Sequence, residues 1–347
     1  MRPSRCENCH RPVSFDAPAC PSCGTPLGYL PSQLRLRALV PSATPAVFDV
    51  AGPDGPVDLW RCANAAWGCN WMLPAASGTE WCRSCALTRG RPDLERPDAV
   101  EAWRAAEAVK RRLVHQLDRI GLPVEARSPE APAGLAFDLV HVPGEGGVTG
   151  HLDGVVTLDL TETDEQHRDD LRRRLDEPFR TVIGHLRHEI AHHYWPRLVG
   201  RAGHELDGFR ELFGDEREPY AAAMEAHYAT DTSDWDHDRY VTAYAASHPM
   251  EDWAESFAHY LHVVDAADTA AGYGLTSVAA HPNAPEPMDL GVSDLITVWA
   301  PIGAALNAVA ESLGRPAVYP FELTGAVVDK LDFVHRRIAA HAIHGVH

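Results

Sequence analysis

The spacing of apolar residues along the chain changes period several times, and each change marks an element. "DAVEAWRAAEAVKRRLVHQLDRIG", residues 98–121, places Val100, Trp103, Ala106, Val109 or Lys110, Leu113, Leu117 and Ile120 on one stripe. Steps of three and four predict a helix, which Gly121 and Pro123 stop. "GLAFDLV" is short and apolar, and Val155–Leu160 alternates after a glycine-rich turn, so both predict strands. From residue 178 the helical period returns. Phe179, Val182, Ile183, Leu186 and Ile190 form a stripe. Pro178 opens it, Asp176 and Glu177 favour its positive end, and Pro196 closes it. "SHPMEDWAESFAHYLH", residues 247–262, predicts a second such helix, opened by Pro249 and burying Trp253, Phe257, Tyr260, Leu261 and Val264. Two later apolar helices, 294–314 and 329–343, read as packing elements.

Ahead of residue 92 the pattern is of another kind. Short apolar runs such as "LRLRALV" and "AVFDV" alternate with Pro and Gly, the signature of short strands and turns. We expect two units, residues 1–92 and 93–347. The expected fold class is α+β: a small, metal-stapled β region, then a mainly helical domain with a small sheet.

All eight cysteines lie in the first unit, in two sets of four. Cys6-x2-Cys9 is followed after ten residues by Cys20-x2-Cys23, and Cys62-x6-Cys69 after twelve by Cys82-x2-Cys85. A Cys-x-x-Cys turn converges two thiolates, and two such turns complete a tetrahedral shell for Zn²⁺. Domains this small bury too little apolar surface to fold alone, so the metal supplies much of the folding energy. Disulfides are the alternative. They are disfavoured because the N-terminus "MRPSRCENCH" has no apolar signal segment and a reducing, cytoplasmic setting is expected. Trp60, Trp67, Trp71 and Trp81 surround the second set and are expected to pack it against the rest of the chain.

Charge narrows the partners. The net charge is −18, yet residues 1–91 hold nine Arg against six acids, +3, which leaves −21 on the remainder. Such a body repels nucleic acid, and +3 is a weak footprint for binding it. No run of 18 apolar residues is present, so no membrane span is expected.

The candidate chemistry lies in "GHLRHEIAHHYW". His188 and His192 are four apart and share a helical face, so both imidazoles can meet one Zn²⁺. Glu189 is turned by about 100° and stays off the ion, within reach of a water whose pKa the metal lowers to about 7. A carboxylate there is a general base for hydrolysis. His185 and His193 are expected to have supporting or structural roles. On the second helix Glu251, Glu255 and His259 are four apart. One carboxylate would complete the metal site and the other would hydrogen-bond a ligand histidine. An acid four residues after the ligand favours Glu251 as ligand and Glu255 as its support, and the reverse stays open. Tyr244 is placed to donate to an oxyanion, with Tyr240 or His248 as substitutes.

"CNWML", "WCRSCALTR", "PFRTVIGHLRHEIAHHYW", "FRELFGDE", "AYAASHPMEDWAESFAHYLH" and "YPFELT", with the paired cysteine knuckles, resemble the bacterial zinc-ribbon zinc-binding metallopeptidases along nearly the whole chain. The catalytic part resembles the gluzincin clan, and Tyr244…Glu251…Glu255 is similar in spacing to lethal-factor-type peptidases. The resemblance implies Glu251 as third ligand and Tyr244 as electrophile. It implies an HExxH zinc peptidase with one catalytic and two structural zinc ions, acting on a peptide or protein; apart from the resemblance, the ribbons are the surface on which a protein partner is expected. The alternative is a zinc-ribbon adaptor whose metallopeptidase scaffold is catalytically idle.

Overall fold

The computed structural model describes residues 2–52, 55–142, 149–166, 181–200, 203–229, 235–275 and 286–342. The chain opens with a ribbon of β1 (Ser4–Arg5) and β2 (Pro12–Val13), then a hairpin of β3 (Leu27–Leu30) and β4 (Arg35–Ala38). An antiparallel sheet follows, formed in order by β5 (Val40–Pro41), β6 (Val47–Gly52), β7 (Gly55–Arg61) and β8 (Met72–Pro74). Strand β9 (Thr88–Gly90) turns away from these. It runs parallel to β10 (Ala136–Val140), which pairs on its other side with β12 (Val155–Asp159), and β11 (Gly150–Leu152) forms the far edge. The helices are α1 (Pro97–Arg119), α2 (Val182–Leu198), α3 (His204–Phe213), α4 (Tyr220–Ala229), α5 (Pro249–Gly272), α6 (Val292–Ser312) and α7 (Gly325–His341). The class is α+β, a zinc-ribbon region with small sheets and then a mainly helical part, as expected.

Helix α1 links the two. Its predicted stripe is buried at Trp103, Ala106, Leu113 and Leu117, but so are Glu107, Lys110, Arg111, His115 and Gln116. Those polar residues are partnered because α1 has neighbours on both sides. Toward the ribbons, the Tyr29 hydroxyl and His115 Nδ1 are 2.6 Å apart, and Phe15 and Trp71 pack on the Tyr29 ring at 4.9 and 4.5 Å. Toward the body, the Gln116 amide donates to the Leu261 carbonyl at 2.7 Å, while its oxygen accepts from the Arg187 guanidinium at 2.7 and 3.0 Å. One apolar core consequently runs through ribbons and body. Of the four tryptophans, Trp71 is buried and Trp67 packs edge-on to Trp103 of α1, as expected for docking, whereas Trp60 and Trp81 are on the surface.

Three sequence readings change. The Val155–Leu160 run is not an alternating, half-exposed strand. Strand β12 is paired on both sides and buried on both faces, the near-continuous apolar habit of an interior parallel strand. Among the described residues β11 is one edge of the sheet and β9 the other, and β11 reverses into β12 through Asp153 and Gly154, both at positive φ. A side chain at Gly154 would meet the Gly134 carbonyl oxygen at 2.6 Å. Helix α2 begins at Val182, where the Thr181 hydroxyl caps the Gly184 N–H at 3.0 Å. The opening assigned to Asp176, Glu177 and Pro178 lies outside the described residues. Pro196 sits inside the last turn, which runs on to Leu198. Finally, α6 is long and apolar enough to cross a membrane by length and composition alone. One face of it, Val292, Leu295, Trp299 and Ile302, is buried, and it packs against α5 and α7.

Two predictions follow from the junction. Burial, helped by Arg119, pulls His115 down to about 3 from an ordinary 6.5. The unfolded chain then takes up a proton near pH 6.5 that the folded one refuses until about pH 3, so this contribution is whole above pH 6.5 and is lost as pH falls. At pH 5 it removes about 2 kcal/mol. Denaturant titrations at pH 7 and pH 5 should show His115→Gln losing about 2 kcal/mol less than wild type between the two, and equal losses would refute the assignment. Second, Cys62, Cys69, Cys82 and Cys85 are all buried, whereas Cys23 is exposed. Cys82→Ser should therefore lower the melting temperature of the whole chain well below that of Cys23→Ser, and the reverse order would count against the buried cluster as the main staple.

Candidate metal centre

The cysteines gather as two separate clusters, Cys6, Cys9, Cys20 and Cys23, and Cys62, Cys69, Cys82 and Cys85. Sulfur–sulfur distances are 3.6 Å for Cys6–Cys23 and Cys9–Cys20, and 3.7 Å for Cys69–Cys82 and Cys69–Cys85. A disulfide needs about 2.05 Å. A tetrahedron of four thiolates at about 2.3 Å from zinc has edges of about 3.8 Å, so the spacing fits the metal. Around the buried cluster, Arg104 and Arg111 of α1 donate to the carbonyls of Trp67 and Gly68 at 3.2 Å each. They bring positive charge to a four-thiolate zinc site that would carry two negative charges.

The third cluster forms where α2 meets α5. The ligand-type atoms of His188, His192 and Glu251 all lie within 4.8 Å of one another. Glu251 Oε2 is 2.9 Å from His188 Nε2 and 3.6 Å from His192 Nε2, and the two Nε2 atoms are 3.3 Å apart. A tetrahedral zinc with nitrogen and oxygen ligands has edges of about 3.4 Å, so the set fits a divalent ion. What fixes the register of the helices is a buried bond: the Trp253 indole donates to the Ala191 carbonyl at 3.0 Å. Helix α5 is capped by His248, whose Nδ1 accepts the Met250 N–H at 3.1 Å, and Pro249 follows it.

Glu255, one turn beyond Glu251, does not enter the cluster. Its Oε1 faces His188 Nδ1 at 2.8 Å, and its Oε2 accepts from the Thr242 hydroxyl at 2.9 Å. Burial opposes charge throughout this site. Even so, the hydrogen bonds to Glu251 and Glu255 raise His188 well above its ordinary value, and the same partners draw both carboxyls below theirs. Both carboxyls are thus held ionised, the form a cation selects, whereas His188 has to give up its Nε2 proton to bind one.

Glu189 lies on the same turn and makes no hydrogen bond to a described residue. The Tyr244 ring is 5.7 Å from that of His188, and its hydroxyl is pushed up first by burial and then by the charge of Glu251. The substitutes are engaged elsewhere: Tyr240 lies under the Lys330 ammonium at 4.3 Å, and His248 Nε2 faces the Glu218 carbonyl oxygen at 3.1 Å. His185 pairs with buried Glu162 at 2.5 Å, and His193 is buried beside His151 and Tyr194.

Three residues at the site escaped the sequence reading. His151, on edge strand β11, stacks on His192 with ring centroids 6.2 Å apart. Tyr220, on the wholly unburied helix α4, interacts with Glu251, Tyr244 and Glu189. Thr242 bonds Glu255. None belongs to a spacing pattern, and the only available signal was that "TGHLDG" sets a histidine beside a tight turn.

Comparison with known proteins agrees with this layout. Residues 99–337 match the family described as "Putative zinc-binding metallo-peptidase", and residues 4–96 match a zinc-ribbon domain. "Uncharacterized protein Mb2598c" of Mycobacterium bovis and "Uncharacterized protein Rv2568c" of Mycobacterium tuberculosis are each 39% identical over 336 residues, 96% of this chain and 94% of theirs. No solved structure matches. The chain belongs to the family of putative zinc-binding metallopeptidases, with a zinc-ribbon domain at its N-terminal end.

Proposed function

We propose that the protein is a zinc peptidase of HExxH type, with His188, His192 and Glu251 holding the catalytic ion and Glu189 as general base. The observation that carries this reading is the meeting of both Nε2 atoms with one Glu251 oxygen, while Glu189 stands on the same turn with no side-chain hydrogen bond among the described residues. When bound, zinc supplies a Lewis acid that makes water acidic near pH 7 and polarises a carbonyl. Glu189 takes the proton of the attacking water and delivers it to the departing amine. The Tyr244 hydroxyl, held protonated by burial, donates to the oxygen that gains negative charge on the substrate carbonyl. Glu255 keeps the His188 ring fixed through Nδ1. An extended peptide pairs with the outer edge of β11, to which no other described strand is bonded and which packs beside α2. The two cysteine clusters hold structural zinc, and the ribbons, with Trp60 and Trp81 exposed, offer a protein-facing surface.

Glu189→Gln is expected to bind three zinc ions per chain, as wild type does, and to lose cleavage of a peptide library by at least a thousandfold. His188→Ala is expected to bind two. Wild-type turnover in Glu189→Gln would end the mechanism, and no cleavage by the zinc-loaded wild type would favour the idle-scaffold adaptor. Tyr244→Phe should lower kcat by about a hundredfold with KM little changed, and a change confined to KM would remove Tyr244 from oxyanion stabilisation.

A further inference from the structure

A cavity of about 310 Å³ opens where the first ribbon meets the body. The ribbon side contributes Arg5, Phe15, Tyr29 and Arg35, and α1 contributes His115 and Arg119. Arg2 joins them and ties the N-terminal segment to α5. Its guanidinium pairs with Asp268 at 2.9 Å, and a side chain at Gly272 would meet the Pro3 ring at 2.6 Å. The walls are therefore held by contacts of their own.

One buried polar atom faces this space without a partner. His115 is only 5% exposed. Its Nδ1 is 2.6 Å from the Tyr29 hydroxyl, and neither side chain makes another hydrogen bond among the described residues. The hydroxyl proton has no other acceptor there, so the phenol donates and the imidazole proton sits on Nε2. Burial, helped by Arg119, keeps the ring neutral by drawing it down to about 3. With Nδ1 turned to Tyr29, Nε2–H is the edge that the ring shows to the cavity it lines. A buried donor left unsatisfied is costly, and an acceptor inside the cavity removes that cost.

The charges around the cavity balance except at two positions. Arg2 and Arg119 share Asp268 and Glu286 at 2.8 to 3.4 Å, and Glu7 is matched by Arg37 at 2.6 Å. Arg5 donates to the His10 carbonyl at 3.1 Å and Arg35 to the Gln33 amide oxygen at 3.3 Å, and neither pairs with an acid among the described residues. Two guanidinium charges and one buried N–H match a dianion with several acceptor oxygens. A phosphate monoester carries about −1.5 to −2 at pH 7, whereas a carboxylate would leave one arginine unmatched. The volume, that of about ten waters, takes a small molecule rather than a folded partner.

We propose that this cavity binds a small phosphate monoester, with Arg5 and Arg35 on the phosphate and His115 Nε2–H donating to the same molecule from the floor. Because the walls come from the first ribbon and from α1, occupancy ties the ribbon to the body. The site is separate from the metal centre and does not depend on peptidase activity.

The test is calorimetric titration of the full-length, zinc-loaded chain at about pH 7.5, where a monoester is a dianion. The probes are adenosine 5′-monophosphate, ribose 5-phosphate and, without phosphate, adenosine. At least one ester should bind once per chain with Kd below about 1 mM, and adenosine should not bind. Arg5→Ala and Arg35→Ala change exposed positions, and each should weaken binding by about tenfold or more, the loss of a charge-assisted hydrogen bond. His115→Asn keeps a polar atom near Tyr29 but removes Nε2, and should weaken binding as much. Two controls should stay within twofold of wild type: Arg11→Ala, an exposed arginine of the same ribbon outside the cavity, and His188→Ala, which excludes binding at the metal centre. Binding of neither ester, equal binding of adenosine, unchanged affinity in any of the three cavity variants, or a tenfold loss in either control would each overturn the proposal.

Discussion

The bond from the Trp253 indole to the Ala191 carbonyl sets the register of the whole catalytic half. It lies between two helices that also meet through His188 with Glu251 and Glu255 and through Arg187 with Asp265, and a buried hydrogen bond tolerates sliding far less than apolar packing does. A slip of one residue would carry Glu251 away from the His188 and His192 nitrogens and bring Met250 or Asp252 in its place. The knot of Gln116, Arg187 and the Leu261 carbonyl repeats the constraint one turn away and adds α1 to it. Position at the centre is therefore fixed by polar groups that apolar packing shields from water.

That arrangement explains the uneven charge states around the site. Burial alone would neutralise every ionisable group there, and unpaired charges in such a place are costly. The charges persist because each faces an opposite or hydrogen-bonding partner: Glu251 two imidazoles, Glu255 an imidazole and a hydroxyl, Arg187 a carboxylate and an amide. The same logic holds at the other end of α1, where buried Lys110 meets Glu107, and Arg111 turns to a knuckle carbonyl.

Much of this was legible in the sequence wherever a short-range rule applies. Four-residue spacing placed His188 with His192 and Glu251 with Glu255 because helix geometry makes such residues neighbours. Cysteine spacing separated two thiolate sets for the same local reason. What could not be read depends on residues distant in sequence. Strand β12 looks alternating until its two pairing partners are known. His151 reaches His192 only through the turn at Gly154 and the edge position of β11. Tyr319 meets His259 across sixty residues, and nothing in "YPFELT" announces a hydroxyl aimed at an imidazole. Charged residues on α1 that suggest a solvated face are instead buried, because two neighbours cover the helix at once.

Strand β9 has a consequence of its own. It leaves the last cysteine knuckle directly, yet its hydrogen-bonding partner is β10 of the other sheet. A gene cut placed just after Gly90 would strip that sheet of an edge and bare the parallel strand beside it, an invitation to pairing between molecules. A ribbon exchanged for another would have to be joined ahead of Thr88, so that β9 stays with the strand it pairs.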